Sequence, residues 1–155
     1  MFRTSKISFG GTAAVVTSAA LISGLCAVNA SKPIIVSALL IAALADNLTD
    51  ALSMHIYQES EQHNQTSAFT GTITNFFARL LISVSFVFLV GIFPLADVDK
   101  AAILWGMSLL AILTYLVARE RKVKPIAEVI KHLLAASAVV VASTLIPPWI
   151  SELFG

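Results

Sequence analysis

Within the run ALADNLTDALSMHIYQESE, Asp46, Asp50, His55, Glu59 and Glu61 interrupt a stretch that is otherwise apolar enough to lie in a membrane. Counted from Pro33 at 1.5 Å per residue, Asp46 lies roughly 20 Å into the helix and so at hydrocarbon depth. An ionised carboxylate there costs about 2.5–3.5 kcal/mol even on the mild insertion scale, and Asp50 adds to it one turn later. At 100° per residue Asp46, Asp50, Ser53 and Tyr57 fall within an arc of roughly 60°, with Met54 and Glu61 at its shoulder and His55 and Glu59 opposite. Two like charges one turn apart cannot both ionise cheaply in a poor dielectric, so the pair is expected to hold a shared proton or a bound cation. Exchanging one for the other would be proton-coupled binding. Met54 adds a soft thioether, and Glu59, Glu61 and His63 stand where they could gather ions at the mouth. Oxygen with some sulfur or imidazole suits first-row ions such as Fe2+, Mn2+ or Zn2+ better than Mg2+.

Arg79 is the basic residue placed well inside the third apolar run, one turn after Asn75. Two readings are open for it. Its long stem can snorkel to the interface, or its guanidinium can neutralise a carboxylate of the second helix and hold the empty site until a cation displaces it.

The elements that must position these groups follow from composition. The chain has 155 residues, 57% hydrophobic and 12% charged, with a net charge of +1 and a mean hydropathy of +0.88. Soluble domains carry about a quarter charged residues, so this is read as an integral membrane protein, and the scattered basic residues point to no nucleic-acid partner. Apolar runs at about Ser8–Asn29, Pro33–Tyr57, Phe69–Phe93, Ala101–Ala118 and Ile126–Ile146 are each near the length that crosses the bilayer. They are continuous rather than alternating, which predicts helices and not a barrel. The expectation is an all-α fold of one domain, residues 1–155: five transmembrane helices in a single bundle. Pro33 and Pro125 are expected near helix starts, Pro94 and Pro147–Pro148 beyond helix ends, and Asp97 and Asp99 as caps of the fourth helix. The connection Gln58–Ser67 is expected as the longest polar loop.

The run Ile7–Ala30 is longer than a signal-peptide core and is expected to stay as a span. Cys26 has bulky Leu25 before it where a lipobox wants a small residue, and is read as packing. The triplets Asn47-Leu48-Thr49, within a helix, and Asn64-Gln65-Thr66, in a connection expected to be cytoplasmic, match a glycan sequon but are read as unreachable for glycosylation. Arg3 and Lys6 before the first helix and Arg119, Arg121, Lys122 and Lys124 after the fourth outweigh Lys32 and Lys100, which predicts a cytoplasmic N-terminus and an external C-terminus. Gly10, Ala14 and Ser18 give the first helix a smooth face for close helix contact, either internal or at a dimer seam. Glu128, Lys131 and His132 are read as a self-neutralised turn.

Two stretches, SFGGTAAVVTSAALISGL at Ser8–Leu25 and ADNLTDALSMHIYQESE at Ala45–Glu61, are similar to the first two helices of short prokaryotic members of the vacuolar iron transporter family. The resemblance implies a bacterial inner-membrane homodimer that exports Fe2+ or Mn2+ in exchange for protons along its two-fold axis, with no further cofactor. It also implies that Met54, within the Ser53-Met54 pair, contacts the metal. The chain departs from the family where plant-type members have an acid in the first helix and a glutamate that would align with Gln58. It also lacks room for their cytoplasmic metal-binding domain, so Asp46 and Asp50 would have to supply the missing charge.

An intramembrane aspartyl protease needs carboxylates from different helices, whereas both deep acids share one. No nucleophile–base set or phosphate loop is present, and no enzyme is expected. The other class is a non-transporting membrane scaffold or regulator. It predicts that Asp46→Asn and Asp50→Asn are harmless while substitutions at Gly10 or Ala14 are not; a transporter predicts the reverse.

Overall fold

In lipid each backbone N–H and C=O must be satisfied within its own segment, so long uninterrupted apolar runs have little choice but to coil. The computed structural model, which describes residues 4–60 and 65–154, consists of α1 (Thr4–Ala27), α2 (Lys32–Ser60), α3 (Gln65–Ile92), α4 (Leu95–Glu120) and α5 (Pro125–Phe154). All five helices are long and apolar enough to cross a membrane, and the described residues contain no strand. The described residues are therefore all-helical, and five such helices suit a multi-pass membrane protein.

The helix ends explain the turns. After α1 the amide of Ala30 donates to the Leu25 carbonyl and that of Asn29 to Cys26, both at 3.0 Å, with Asn29 left-handed at φ 55°. This is the Schellman pattern, in which Asn is a tolerated substitute for glycine. The same pattern closes α4, where Val123 donates to Ala118 at 3.1 Å and Lys122 to Arg119 at 3.2 Å. Here the left-handed residue is Lys122, at φ 56°.

Three boundaries differ from expectation. The N-cap of α4 is Pro94, with no side-chain cap. The amide of Asp97 bonds the Pro94 carbonyl instead, so Asp97 lies in the first turn and Asp99 farther in, and neither is the cap. A proline at the start loses nothing, because the first helical amides have no partner in the helix anyway. α5 does not stop at Ile146 but continues through Pro147 and Pro148 to Phe154. The two missing amides leave the Ser143 and Thr144 carbonyls without their usual donors, a defect that membrane helices tolerate where neighbouring groups compensate. Finally, much of the expected loop Gln58–Ser67 is helical: α2 runs through Ser60 and α3 begins at Gln65.

α1 lies against each of the other four helices. Its small residues permit this. A Cβ on Gly24 would sit 2.9 Å from the Ser143 carbonyl oxygen of α5, and one on Gly106 of α4 would sit 3.3 Å from Ala19. Gly10, Ala14 and Ser18 likewise face α2 and α3, so the smooth face is an internal contact. Buried positions recur every fourth residue, as with Val98, Ala102, Gly106 and Leu110 on α4. The outward stripe of α2, with Ile41, Leu44, Leu48 and Leu52 exposed, is apolar as lipid demands. Because lipid is as apolar as leucine, close packing rather than water exclusion holds such helices together.

Candidate functional site: an arginine between two carboxylates

On α3 the buried face changes from apolar to polar along its length: Phe86 and Val90 give way to Ser83, Arg79 and Asn75, all buried. Four-residue spacing keeps these three on one face. They meet α2 where its own buried stripe, Ile35, Leu39 and Ala43, ends in Asn47. α1 comes close because it presents Gly10. Its amide donates to Asn75 Oδ1 at 3.0 Å, and a Cβ there would lie 2.7 Å from Cγ of Arg79.

Arg79 does not snorkel. Its side chain is 5% exposed and turns inward: Nη1 is hydrogen-bonded to Oδ2 of Asp50, and Nη2 lies 3.5 Å from Oδ2 of Asp46. The acids are at the rim, with side-chain exposures of 41% for Asp46 and 33% for Asp50. A guanidinium stays charged under all ordinary conditions. With both acids ionised the cluster carries one net negative charge; with one protonated it is neutral.

Against the guanidinium lies a small cavity of about 10 Å³, walled by Thr17 and Ser18 of α1, Asp46 and Asn47 of α2, and Arg79 and Ser83 of α3, with apolar residues around them. Asn47 is 1% exposed, and neither its Oδ1 nor its Nδ2 has a hydrogen-bond partner among the described residues. A buried amide left bare in this way costs about 1–3 kcal/mol.

The structure thus brings together Asp46, Asp50 and Arg79 from the sequence-derived set. Ser53 and Tyr57 share their arc but are exposed, so the lower rungs of the expected ladder are not enclosed. Met54, His55 and Glu59 lie on α2, with side chains outside the description; Glu61 and His63 fall outside the described residues. Among the described residues no three of His, Cys, Asp and Glu converge as a metal cluster. Sequence reasoning missed Asn47, Thr17 and Ser83 as site residues. A signal existed: Asn47 continues the Ile35–Leu39–Ala43 spacing, and Ser83 continues that of Asn75 and Arg79.

A second polar spot lies near the other end of α1. Ser23, 1% exposed, donates from Oγ to Oδ1 of Asp99 at 2.5 Å. The two residues open on a pocket of about 530 Å³ shared with Cys26, Asn29 and Thr144. The expected cap Asp99 is therefore a helix-to-helix tie, and Cys26 lines a pocket wall. Glu128 and Lys131 pair at 2.9 Å as expected of a self-neutralised turn.

No protein-family model matches this chain, and neither a curated protein nor a solved structure matches it.

Proposed function

We propose that the five helices form a single bundle, working as a homodimer in the bacterial inner membrane with the N-terminus cytoplasmic, that carries divalent transition-metal ions, Fe2+ or Mn2+, out of the cytosol in exchange for protons. The observation that carries this reading is Arg79 held between Asp46 and Asp50. A tethered cation on two acids at membrane depth is what an empty cation site needs, because without it the acids would face each other uncompensated in hydrocarbon. An arriving ion displaces the guanidinium from the carboxylates, and protonation of the acids releases the ion. In this reading Met54, Glu59 and Glu61 take part in delivering the ion to the pair, with His55, Ser53 and Tyr57 in support.

The second reading, a non-transporting scaffold or regulator, takes the same ion triad as a fixed brace between α2 and α3. Metal uptake into proteoliposomes driven by a pH gradient, measured for Fe2+, Mn2+, Zn2+ and Co2+, separates the two. Flux that disappears in Asp46→Asn and in Asp50→Asn but persists in Glu120→Gln supports transport. Absence of flux for every ion in the wild-type protein, with a normal dimer in the membrane, leaves the brace.

A further inference from the structure

We propose that the cavity between α1, α2 and α3 binds one water molecule, which Asn47 holds against Asp46 and Arg79, so that Asp46 is tied to the arginine through an exchangeable bridge while Asp50 is tied directly. The starting point is Asn47, 1% exposed, whose Oδ1 and Nδ2 both lack a partner among the described residues although the residue stands in the cavity wall. Native structures rarely leave such groups bare, and the usual completion is a buried water making roughly two to four hydrogen bonds. A space of about 10 Å³ is close to the least that admits one water, and it is too small for a hydrated ion or a polyatomic ligand.

The lining decides the chemistry of the occupant. It mixes groups that only donate, the Arg79 guanidinium and Nδ2 of Asn47, with groups that only accept, Oδ1 of Asn47 and an ionised Asp46 carboxylate. The hydroxyls of Thr17, Ser18 and Ser83 do either. A metal ion cannot accept from the N–H donors, and an anion cannot donate to the carboxylate. Water does both, and one molecule can close a ring with the two ends of a single amide. Being neutral, it fits equally whether both acids are ionised or one of them holds a proton.

The two acids differ in the way this bridge requires. Asp50 is hydrogen-bonded directly to Nη1 and is not among the residues that line the cavity. Asp46 lines it, and its Oδ2 stands 3.5 Å from Nη2, beyond the roughly 2.7–2.9 Å of a hydrogen bond between ions. The acid with the slack contact is the one beside the bare amide, and a water there supplies what the direct contact leaves short. Asn47 is thus a positioning residue: it fixes the water, and the water sets how readily Asp46 leaves Arg79.

As a bound water the assignment stands alone; as the reason Asp46 parts from Arg79 first when an ion arrives, it rests on the transport reading. Full-length protein with isotope-labelled nitrogen in asparagine and arginine is reconstituted in bilayers and studied by solid-state NMR, with magnetisation that starts on water and passes to nearby nitrogens. The expected result is transfer to the Asn47 side-chain nitrogen, identified by its loss in Asn47→Leu, or in Asn47→Ala should leucine prevent folding. In that variant the Arg79 Nη2 resonance should shift while Nη1, bonded to Asp50, stays in place, whereas a general loss of packing would move both. Ser83→Val puts extra carbon into a space sized for one water and should abolish the transfer with Asn47 still present. No transfer to the Asn47 nitrogen in the wild type, transfer unchanged in Ser83→Val, or an Nη2 resonance unmoved by the Asn47 substitution overturns the proposal. Metal flux absent while the water signal is present refutes the transport reading alone, and flux present without the water signal refutes this inference alone.

Discussion

Replacing Gly10 by alanine tests the geometry on which the site depends. The new Cβ would stand 2.2 Å from Asn75 Oδ1, 2.7 Å from Asn75 Cγ and 2.7 Å from Arg79 Cγ. Ordinary carbon contacts begin near 3.5 Å, so the Asn75 amide has to retreat by roughly 1 Å or more. In doing so it gives up the 3.0 Å hydrogen bond from the Gly10 amide. Overpacking of this kind costs about 1–3 kcal/mol, and a buried polar group losing its partner costs about 1–3 kcal/mol. Against these stands a gain of up to about 1 kcal/mol from exchanging glycine for alanine inside a helix. The net expectation is a loss of roughly 1–6 kcal/mol. Gly91 is the control, because nothing among the described residues lies within 4 Å of its Cβ position and only the helix gain remains. Thermal melts of both variants in one detergent should show Gly10→Ala falling by roughly 2–4 °C per kcal/mol and Gly91→Ala unchanged or higher. A Gly10→Ala melt that coincides with wild type would refute the contact between α1 and α3, and the placement of Arg79 with it. The geometry also removes a distinction expected from sequence. Gly10 packs on the Arg79 stem, so a defect in Gly10→Ala does not by itself favour a scaffold over a transporter.

Three further variants probe other parts of the molecule. Arg79→Leu leaves Asp46 and Asp50 facing each other; breaking a buried pair costs about 3–5 kcal/mol, and partial exposure of the acids places the expected loss in the lower half of that range. Adding Asp46→Asn and Asp50→Asn to Arg79→Leu should restore most of that stability in the same melt, and failure to do so would mean that Arg79 acts through packing and not charge. Lys122→Gly relieves a left-handed backbone that costs a side-chain-bearing residue about 1–2 kcal/mol, so the melting temperature should rise; a fall would contradict the turn that closes α4. Cys26 shares a pocket with Asp99, so a cationic methanethiosulfonate reagent should label it faster than an anionic one, and Asp99→Asn should erase the preference.

Helix number and approximate extent were legible in the sequence because hydrocarbon leaves the backbone no alternative partner. Helix ends were less so. The rule that proline stops a helix is strongest in water, where the freed carbonyls and the chain have cheaper conformations; inside the membrane α5 runs through Pro147 and Pro148. The site was half legible. Spacing alone put Asp46 and Asp50 on one face, but the direction of Arg79 depends on space made by a glycine some seventy positions earlier, near the start of α1. Asn47 was hidden for a different reason. Its neighbours Asp46 and Asp50 carry the obvious charge, and only the four-residue rhythm of Ile35, Leu39 and Ala43 marks it as the inward position.

The number of acids bears on which reading of the triad is the better one. A brace between two helices needs one carboxylate for one guanidinium, and the planar fork of arginine can engage a single carboxylate through both of its nitrogens. Arg79 instead divides itself, with Nη1 on Asp50 and Nη2 toward Asp46 one turn away. The second acid adds a desolvation cost that the arginine cannot fully repay, since its one charge is already matched. A brace gives no reason for keeping it. A site that must release its internal cation and accept another charge does, because the extra carboxylate is what lets a proton or an ion bind while Arg79 keeps a partner. Asp46 is also the acid that lines the cavity beside Asn47, so the carboxylate in excess is the one placed against that cavity.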